Sequence, residues 1–223
     1  MKMGQAKLLD EITALEEKVS NLTNHYWRTY SNADTWEFWL LLALFILPLV
    51  ALYFLIDRKR AFHIGFFGFN VHVWFHYIDI YGYTHGLWGY PYKLVPFLPS
   101  SVTLDTALIP VLFMLVYQWT INNNKNYYLY LTGMSVFLSF LFKPTMVAFG
   151  LFQLYKGMNY FHLLAGYITV MLVSRGITNL FLYFQTTKEN PKTPNTTKPI
   201  EKETPKRKRF ILSKLFHLKR KAK

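Results

Sequence analysis

The sequence contains no cysteine, and this absence excludes several kinds of chemistry together. Disulfide bonds, thiolate metal sites and cysteine nucleophiles all require that side chain. A glycine-rich phosphate loop, a GxSxG segment and an HExxH pair with its glutamate are missing as well. Acidic residues are scarce, with 12 Asp and Glu against 25 Lys and Arg, so the net charge is +13. The sequence therefore favours a non-enzymatic protein and implies no cofactor.

Long apolar stretches are what the sequence has in abundance. Apolar residues make up 52% and aromatic residues 19% of the chain, more than an ordinary soluble domain carries. Several runs reach the roughly 20 residues that a helix needs to cross a bilayer. We predict an all-α integral membrane bundle over residues 36–184, with about five transmembrane helices. The predicted spans are residues 36–56, 61–81, 102–121, 127–142 and 160–184, and residues 145–157 are predicted to form an interfacial or re-entrant helix.

The segment before the bundle, residues 1–35, is predicted to contain an amphipathic helix. Its apolar residues recur at alternating steps of four and three, with charged residues mostly on the other faces. These apolar residues are Leu8, Ile12, Leu15, Val19 and Leu22. We expect this face to pack on the protein's own membrane domain or at the lipid surface, with self-association as the alternative.

The tail, residues 185–223, is strongly basic, with 13 Lys and Arg against 3 acidic residues. We predict a disordered stretch followed by an amphipathic helix that lies on anionic headgroups. The basic residues predicted to contact lipid are Lys206, Arg207, Lys208, Arg209, Lys219, Arg220 and Lys221. A nucleic-acid partner is the less favoured interpretation, since a tail tethered beside anionic lipid meets headgroups first.

Basic residues near the ends of spans are held on the cytoplasmic side of a membrane. The turn containing Arg58, Lys59 and Arg60 and the basic tail should therefore share that side, which requires an even number of crossings between them. The four spans after this turn meet that requirement. We predict an amino terminus outside the cell and a cytoplasmic carboxyl terminus.

Several ionisable residues occur inside the predicted spans, where they are costly and usually face the bundle interior or a wet cavity. On a helix with about 100° per residue, His72, His76 and Asp79 share one stripe of the second span. His63 and Asn70 lie on the opposite side, so we expect this helix to sit centrally. Asp105 in the third span lies at a depth similar to that of Asp79. Together with Arg175, which we expect to pair with a carboxylate or carbonyl groups, they form a predicted polar intramembrane cluster.

The cluster has three possible interpretations. Its side chains form hydrogen bonds and ion pairs between helices, they pass protons or bind a small ligand, or His72, His76 and Asp79 hold a metal ion. The first needs no function beyond folding, and a His pair at positions i and i+4 is a weak metal signal by itself.

The segment GLWGYPYKLVP at residues 86–96, followed by Asp105, Ile109-Pro110 and Tyr117-Gln118, resembles a family of small multi-pass membrane proteins of Gram-positive spore-forming bacteria. The likeness covers residues 36–184. It implies that Asp79, Trp88, Asp105, Tyr117, Gln118 and Arg175 occupy the family's characteristic polar or aromatic positions. Lys143 departs from the acidic residue that relatives carry before Pro144, and the long basic tail is peculiar to this chain. The resemblance carries over no activity.

These observations predict a multi-pass protein of the bacterial cell membrane with a structural, sensory or accessory role. Its expected partners are the lipid bilayer and another membrane protein, and its surface loop is expected to be organised by Trp88, Tyr90 and Tyr92. A small proton-coupled transporter is the first alternative, and an intramembrane metal-dependent enzyme is the second.

Overall fold

The structure, a computed structural model, describes residues 3–188, with side chains as far as residue 186. Residues 3–183 form one compact unit, and the described residues of the second unit, 184–188, are helical. The predicted basic tail lies outside the described residues. The elements are α1 Met3–Tyr30, α2 Trp36–Leu55, α3 Ala61–Thr84, β1 Trp88–Gly89, a π-helical segment Thr103–Leu108, α4 Ile109–Asn122, α5 Tyr127–Phe137, a second π-helical segment Leu138–Phe142, α6 Lys143–Ala148, β2 Gln153–Leu154 and α7 Tyr160–Lys188.

The prediction of an all-helical bundle with long apolar helices is confirmed. Within residues 3–188, four helices are long and apolar enough to cross a membrane. They are Trp36–Leu55, Thr103–Asn122, Tyr127–Ala148 and Tyr160–Thr186. Helix α2 buries one side chain, Leu41, and exposes apolar residues over the rest of its surface. Such a surface suits hydrocarbon rather than water.

The central helix is α4, and the expectation that α3 would sit centrally is wrong. Helix α4, with the π-helical segment before it, packs against α2, α3 and α5. Helix α3 buries one face and exposes aromatic side chains on the other. The exposed residues are Phe62, Phe69, Trp74, Tyr77 and Tyr81. The polar residues of α3 lower its mean hydropathy, which is why its 24 residues do not count among the four candidate spans.

The connections between helices gather at two ends of the bundle. At one end, Asn122 accepts a hydrogen bond from Arg60 and donates one to Asp57, which brings the turns 56–60 and 123–126 together. At the other end β1 pairs antiparallel with β2. We call the first the turn end, after its short turns, and the second the loop end, because it contains the loops 85–102 and 149–159.

The fourth span differs from its predicted form. We expected a break at Lys143-Pro144 and a separate interfacial helix over 145–157, but α5, the second π-helical segment and α6 make one helix, Tyr127–Ala148. Pro144 lies two residues after the end of the second π-helical segment, and the irregular hydrogen bonding of that segment accommodates its missing N–H within the longer helix. Residues 149–159 then form the turn that carries β2, so the expected interfacial helix is absent from this described stretch.

Helix α1 spans most of the segment in which an amphipathic helix was predicted, and it lies at the loop end. Trp27 Nε1–H and the Ser31 hydroxyl donate to the backbone carbonyl of Lys93, which ties the carboxyl end of α1 to the loop 85–102. None of the described residues of α1 is buried. Its apolar seam therefore does not pack on the membrane domain, contrary to our first expectation.

Candidate functional site

Asp79 is the anchor of the loop end. Its side chain is 3% exposed, and its carboxylate accepts three hydrogen bonds. Trp88 Nε1–H and the Tyr90 hydroxyl donate to Oδ1 at 2.7 and 2.6 Å, and the backbone N–H of Ser101 donates to Oδ2 at 3.0 Å. Gly82 makes room for this arrangement, because a Cβ there would lie 1.9 Å from the Trp88 ring. One buried carboxylate thus positions both ends of the aromatic loop 85–102.

Asp105 lies beside Asp79 and faces both histidines of the predicted stripe. It is fully buried, and its Oδ2 lies 3.2 Å from His76 Nδ1. Its backbone carbonyl accepts a hydrogen bond of 2.7 Å from His72 Nδ1, which fixes the proton of His72 on that nitrogen. Asp105 Oδ1 has no hydrogen-bond partner among the described residues. The pair Asp105–His76 is therefore arranged to hold one proton between its two members.

Lys143 completes the group and was missed in the sequence. We had given this corner no role, yet Lys143 is 2% exposed and lies within electrostatic range of Asp79 and Asp105. Its Nζ lies 3.7 Å from the centre of the Phe152 ring. We call His72, His76, Asp79, Asp105 and Lys143 the loop-end cluster.

Both π-helical segments of the described chain serve this cluster. The first, Thr103–Leu108, contains Asp105, and the second, Leu138–Phe142, ends immediately before Lys143. A π-helical turn adds one residue to a helix and redirects the side chains near it, and such turns are frequent at functional sites. The irregular backbone is thus found where two charged side chains must point inward.

The loop 85–102 adds further titratable groups at this end. Burial lowers the pKa of Lys93 to about 8, and its Nζ lies 3.8 Å from the centre of the Tyr83 ring and donates to the Leu98 carbonyl. Burial and the neighbouring Asp79 carboxylate raise the pKa of Tyr90 well above its usual range. Burial, followed by Glu37, raises the pKa of Tyr92. Tyr90 thus remains a hydrogen-bond donor at neutral pH.

Arg175 does not join the other predicted residues. It lies toward the turn end, where its guanidinium donates to the Tyr117 hydroxyl and stacks on the Tyr117 and Tyr127 rings. The same hydroxyl lies 2.8 Å from His63 Nε2. Tyr117 is 12 residues beyond Asp105 in the sequence, about 18 Å along a helix. The expected carboxylate or carbonyl partner is replaced by a phenol and two ring faces. We call His63, Tyr117 and Arg175 the turn-end cluster.

The geometry does not favour the predicted metal site. Among residues 3–188 no group of three or more His, Asp or Glu side chains is arranged to hold a metal ion. The Asp79 oxygens are occupied by three donors, and the imidazoles of His72 and His76 stack with their centroids 5.8 Å apart. The arrangement suits the exchange and storage of a proton better than metal coordination.

Comparison with known proteins adds no relative: no family model, curated protein or solved structure matches this chain.

Proposed function

We propose that this protein is a proton-responsive, non-enzymatic membrane protein that couples the protonation of Asp105 and His76 to the position of the loop 85–102. The observation that carries the proposal is the contact of Asp105 with His76 beside Asp79, the residue that holds the loop. Buried ionisable groups in a membrane domain are costly, and they usually mark proton relays or ligand sites. This is a sensory role of the kind that the sequence favours.

The coupling follows from the charged and titratable groups that face Asp105. From α3 these are His72, His76 and Asp79, and the other elements contribute Lys143, Lys93, Tyr90 and Tyr167. When the pair Asp105–His76 loses or gains a proton, the repulsion between the two buried carboxyl groups changes. The strength of the hydrogen bonds that Asp79 accepts from Trp88, Tyr90 and Ser101 then changes, and the position of the loop 85–102 changes with it.

The test is amide hydrogen exchange of the purified protein in lipid nanodiscs, measured from pH 4 to pH 8 and corrected for the intrinsic exchange rate. We expect the protection of Ser101 N–H, which Asp79 accepts, to change with pH in the wild type. Asp105→Asn, which keeps the shape of the side chain, should abolish that change. The matched control is Asp34→Asn, because Asp34 is exposed and lies outside the cluster. A pH profile that is the same in the wild type and in Asp105→Asn would refute the coupling.

We further propose five crossings, with the loop end outside the cell and the turn end in the cytoplasm. Helix α3 joins the two ends beside α4, and its 24 residues reach about 36 Å at helical rise. It therefore crosses the same thickness as α4, although its composition is more polar. The basic residues 58–60 at the turn end support the orientation.

The cysteine-free sequence makes the orientation simple to test. Single cysteines at Lys156 and Lys18 should react with a membrane-impermeant maleimide on intact cells, whereas one at Lys125 should react after the cells are opened. The opposite pattern would invert the proposed orientation, and labelling of all three positions from outside would contradict five crossings.

A proton-coupled transporter is the second candidate, and the turn-end cluster favours it. The same helices α3, α4 and α7 carry polar groups at two depths, with a buried apolar layer between them. This layer contains Phe67, Val71, Leu108, Ile109 and Phe113. A protein that alternates access would have to open this layer. Proton flux into liposomes that is lost in Asp105→Asn would support transport, and a rate equal to that of empty liposomes would leave the sensory role.

The resemblance to a membrane family of Gram-positive spore-forming bacteria remains part of the proposal, together with a location in the bacterial cell membrane.

A further inference from the structure

A small cavity lies inside the loop end, between α3, the loops and α7. Its volume is about 40 Å³, and it extends from the exposed side chain of His162 to the buried side chain of Asp79. Aromatic rings form most of the wall, and the polar groups that reach it are few. Besides His162 and Asp79 these come from Tyr90, Lys143 and Tyr167.

Two of these groups are buried without a hydrogen-bond partner. The Tyr167 hydroxyl belongs to a residue that is 2% exposed, and it has no partner among the described residues. Within residues 3–188, no carboxylate oxygen lies within 4.0 Å of Lys143 Nζ, and no hydrogen bond links that ammonium to an acceptor. A buried donor without an acceptor is costly, and a charged donor more so. Both groups therefore call for an occupant that accepts hydrogen bonds.

The occupant must also be compatible with Asp79 on the opposite wall. A halide would accept from Lys143 and Tyr167, but it would face the Asp79 carboxylate. A metal cation would face the Lys143 ammonium. Water accepts from both donors and donates to the carboxylate, and a polar cavity of this kind can hold water once its volume exceeds about 10–15 Å³.

We propose that this cavity holds ordered water, which joins Lys143 and Tyr167 to Asp79. Since His162 is exposed at the other side of the cavity, the water also gives protons a route from the surface to Asp79 and its neighbour Asp105. The route rests on the proposed function, whereas the presence of the water does not.

Radiolytic hydroxyl-radical footprinting of the protein in nanodiscs tests for the water directly. Radicals formed from trapped water oxidise the side chains beside it, however small their exposure to bulk solvent. We expect Tyr167 and Phe152 to be oxidised several times faster than Tyr127. Tyr127 is the matched control because it is also buried, and its hydroxyl is bonded to the Met171 carbonyl. Equal rates at the three residues would overturn the proposal.

Two further measurements separate the occupants and the route. Oxidation of Tyr167 that rises when chloride is replaced by gluconate would show a halide in place of water and would overturn the proposal. After a jump in pH, the protection of Ser101 N–H should change more slowly in Tyr167→Phe than in the wild type, but it should still change. The substitution removes one partner of the water and leaves Asp105 and His76 in place. An unchanged rate, together with fast oxidation of Phe152, would refute the route and leave the water.

Discussion

The loop-end and turn-end clusters both draw on α3 and the third span, with Lys143 of α6 added at the loop end and Arg175 of α7 at the turn end, but they differ in how completely their polar atoms are satisfied. At the turn end, the Tyr117 hydroxyl has both His63 and Arg175 as partners, and the guanidinium is covered by two ring faces. At the loop end, Asp105 Oδ1 and the Tyr167 hydroxyl lack a partner of good hydrogen-bond geometry among the described residues, whereas near the turn-end cluster the Ser174 hydroxyl, next to Arg175 in the sequence, lacks one. The first arrangement holds helices together, and the second leaves capacity for a proton and for water.

The backbone conformation also differs between the two clusters. Helix α4 is regular where it carries Tyr117, and the chain is π-helical where it carries Asp105. The loop-end cluster also contains both carboxylates of the two clusters, whereas the turn-end cluster has Arg175 and His63 as its basic side chains and no carboxylate. The Arg175 guanidinium has a hydrogen-bond acceptor, the Tyr117 hydroxyl, in addition to two aromatic rings. Two carboxyl groups side by side do need a proton or a cation nearby.

The largest effect on stability is expected from Asp79→Ala. It leaves the Trp88, Tyr90 and Ser101 donors unpaired in a buried place, which should lower the free energy of unfolding by about 3–5 kcal/mol. Thermal and denaturant unfolding in detergent measures the change. Asp34→Ala is the control, because an exposed carboxylate should alter the stability by less than about 0.5 kcal/mol. A similar loss in both variants would remove Asp79 from its role as anchor.

The lowered pKa of Lys93 predicts that the loop end makes the stability of the protein depend on pH. Its pKa is about 8 in the folded protein and 10.5 in a free side chain, so the unfolded chain binds more protons between these two values. The contribution of Lys93 to stability should therefore rise as the pH increases from 8 to 10.5, by at most about 3 kcal/mol, and its penalty for a buried charge is fully present below pH 8. Unfolding of the wild type and of Lys93→Met across this range measures the difference. A rise of equal size in Lys93→Met would assign the effect to another group.

Much of this architecture follows from the sequence, and the exceptions have physical reasons. The spacing of His72, His76 and Asp79 sets them on one face of α3, and the similar depths of Asp79 and Asp105 led us to group Asp105, which contacts His76, with them. Lys143 was missed because a Lys-Pro pair suggests the end of a helix, whereas Pro144 falls in the first turn of α6 and the helix continues.

Other features leave no signal in the sequence. Strands of two residues, such as β1 and β2, are too short to show any periodicity. The contact of Arg175 with Tyr117 joins residues on separate helices, which no spacing along the chain encodes. The exposure of one face of α3 depends on aromatic residues that suit lipid and protein surroundings equally.

Tyr117→Phe tests the turn end by a smaller change. It removes the hydroxyl that joins His63 to Arg175 but keeps the ring beneath the guanidinium, so the loss of stability should be about 2 kcal/mol. The pH profile of Ser101 protection should remain that of the wild type. Tyr128→Phe is the control, because Tyr128 is exposed. A changed pH profile in Tyr117→Phe would mean that the two clusters are coupled through the bundle, as a transporter requires.

The smallest change of stability, and the sharpest contrast, is expected from exchanging one histidine in each cluster. Glutamine keeps a hydrogen-bonding group at either position but cannot titrate, so His63→Gln and His76→Gln should each cost less than about 1 kcal/mol. His76→Gln should remove most of the pH dependence of Ser101 protection, whereas His63→Gln should leave it unchanged. His85→Gln, an exposed histidine at the end of α3, controls for the loss of imidazole near the loop. If His63→Gln altered the profile as much as His76→Gln, the proton that moves the loop would not be confined to the Asp105–His76 pair.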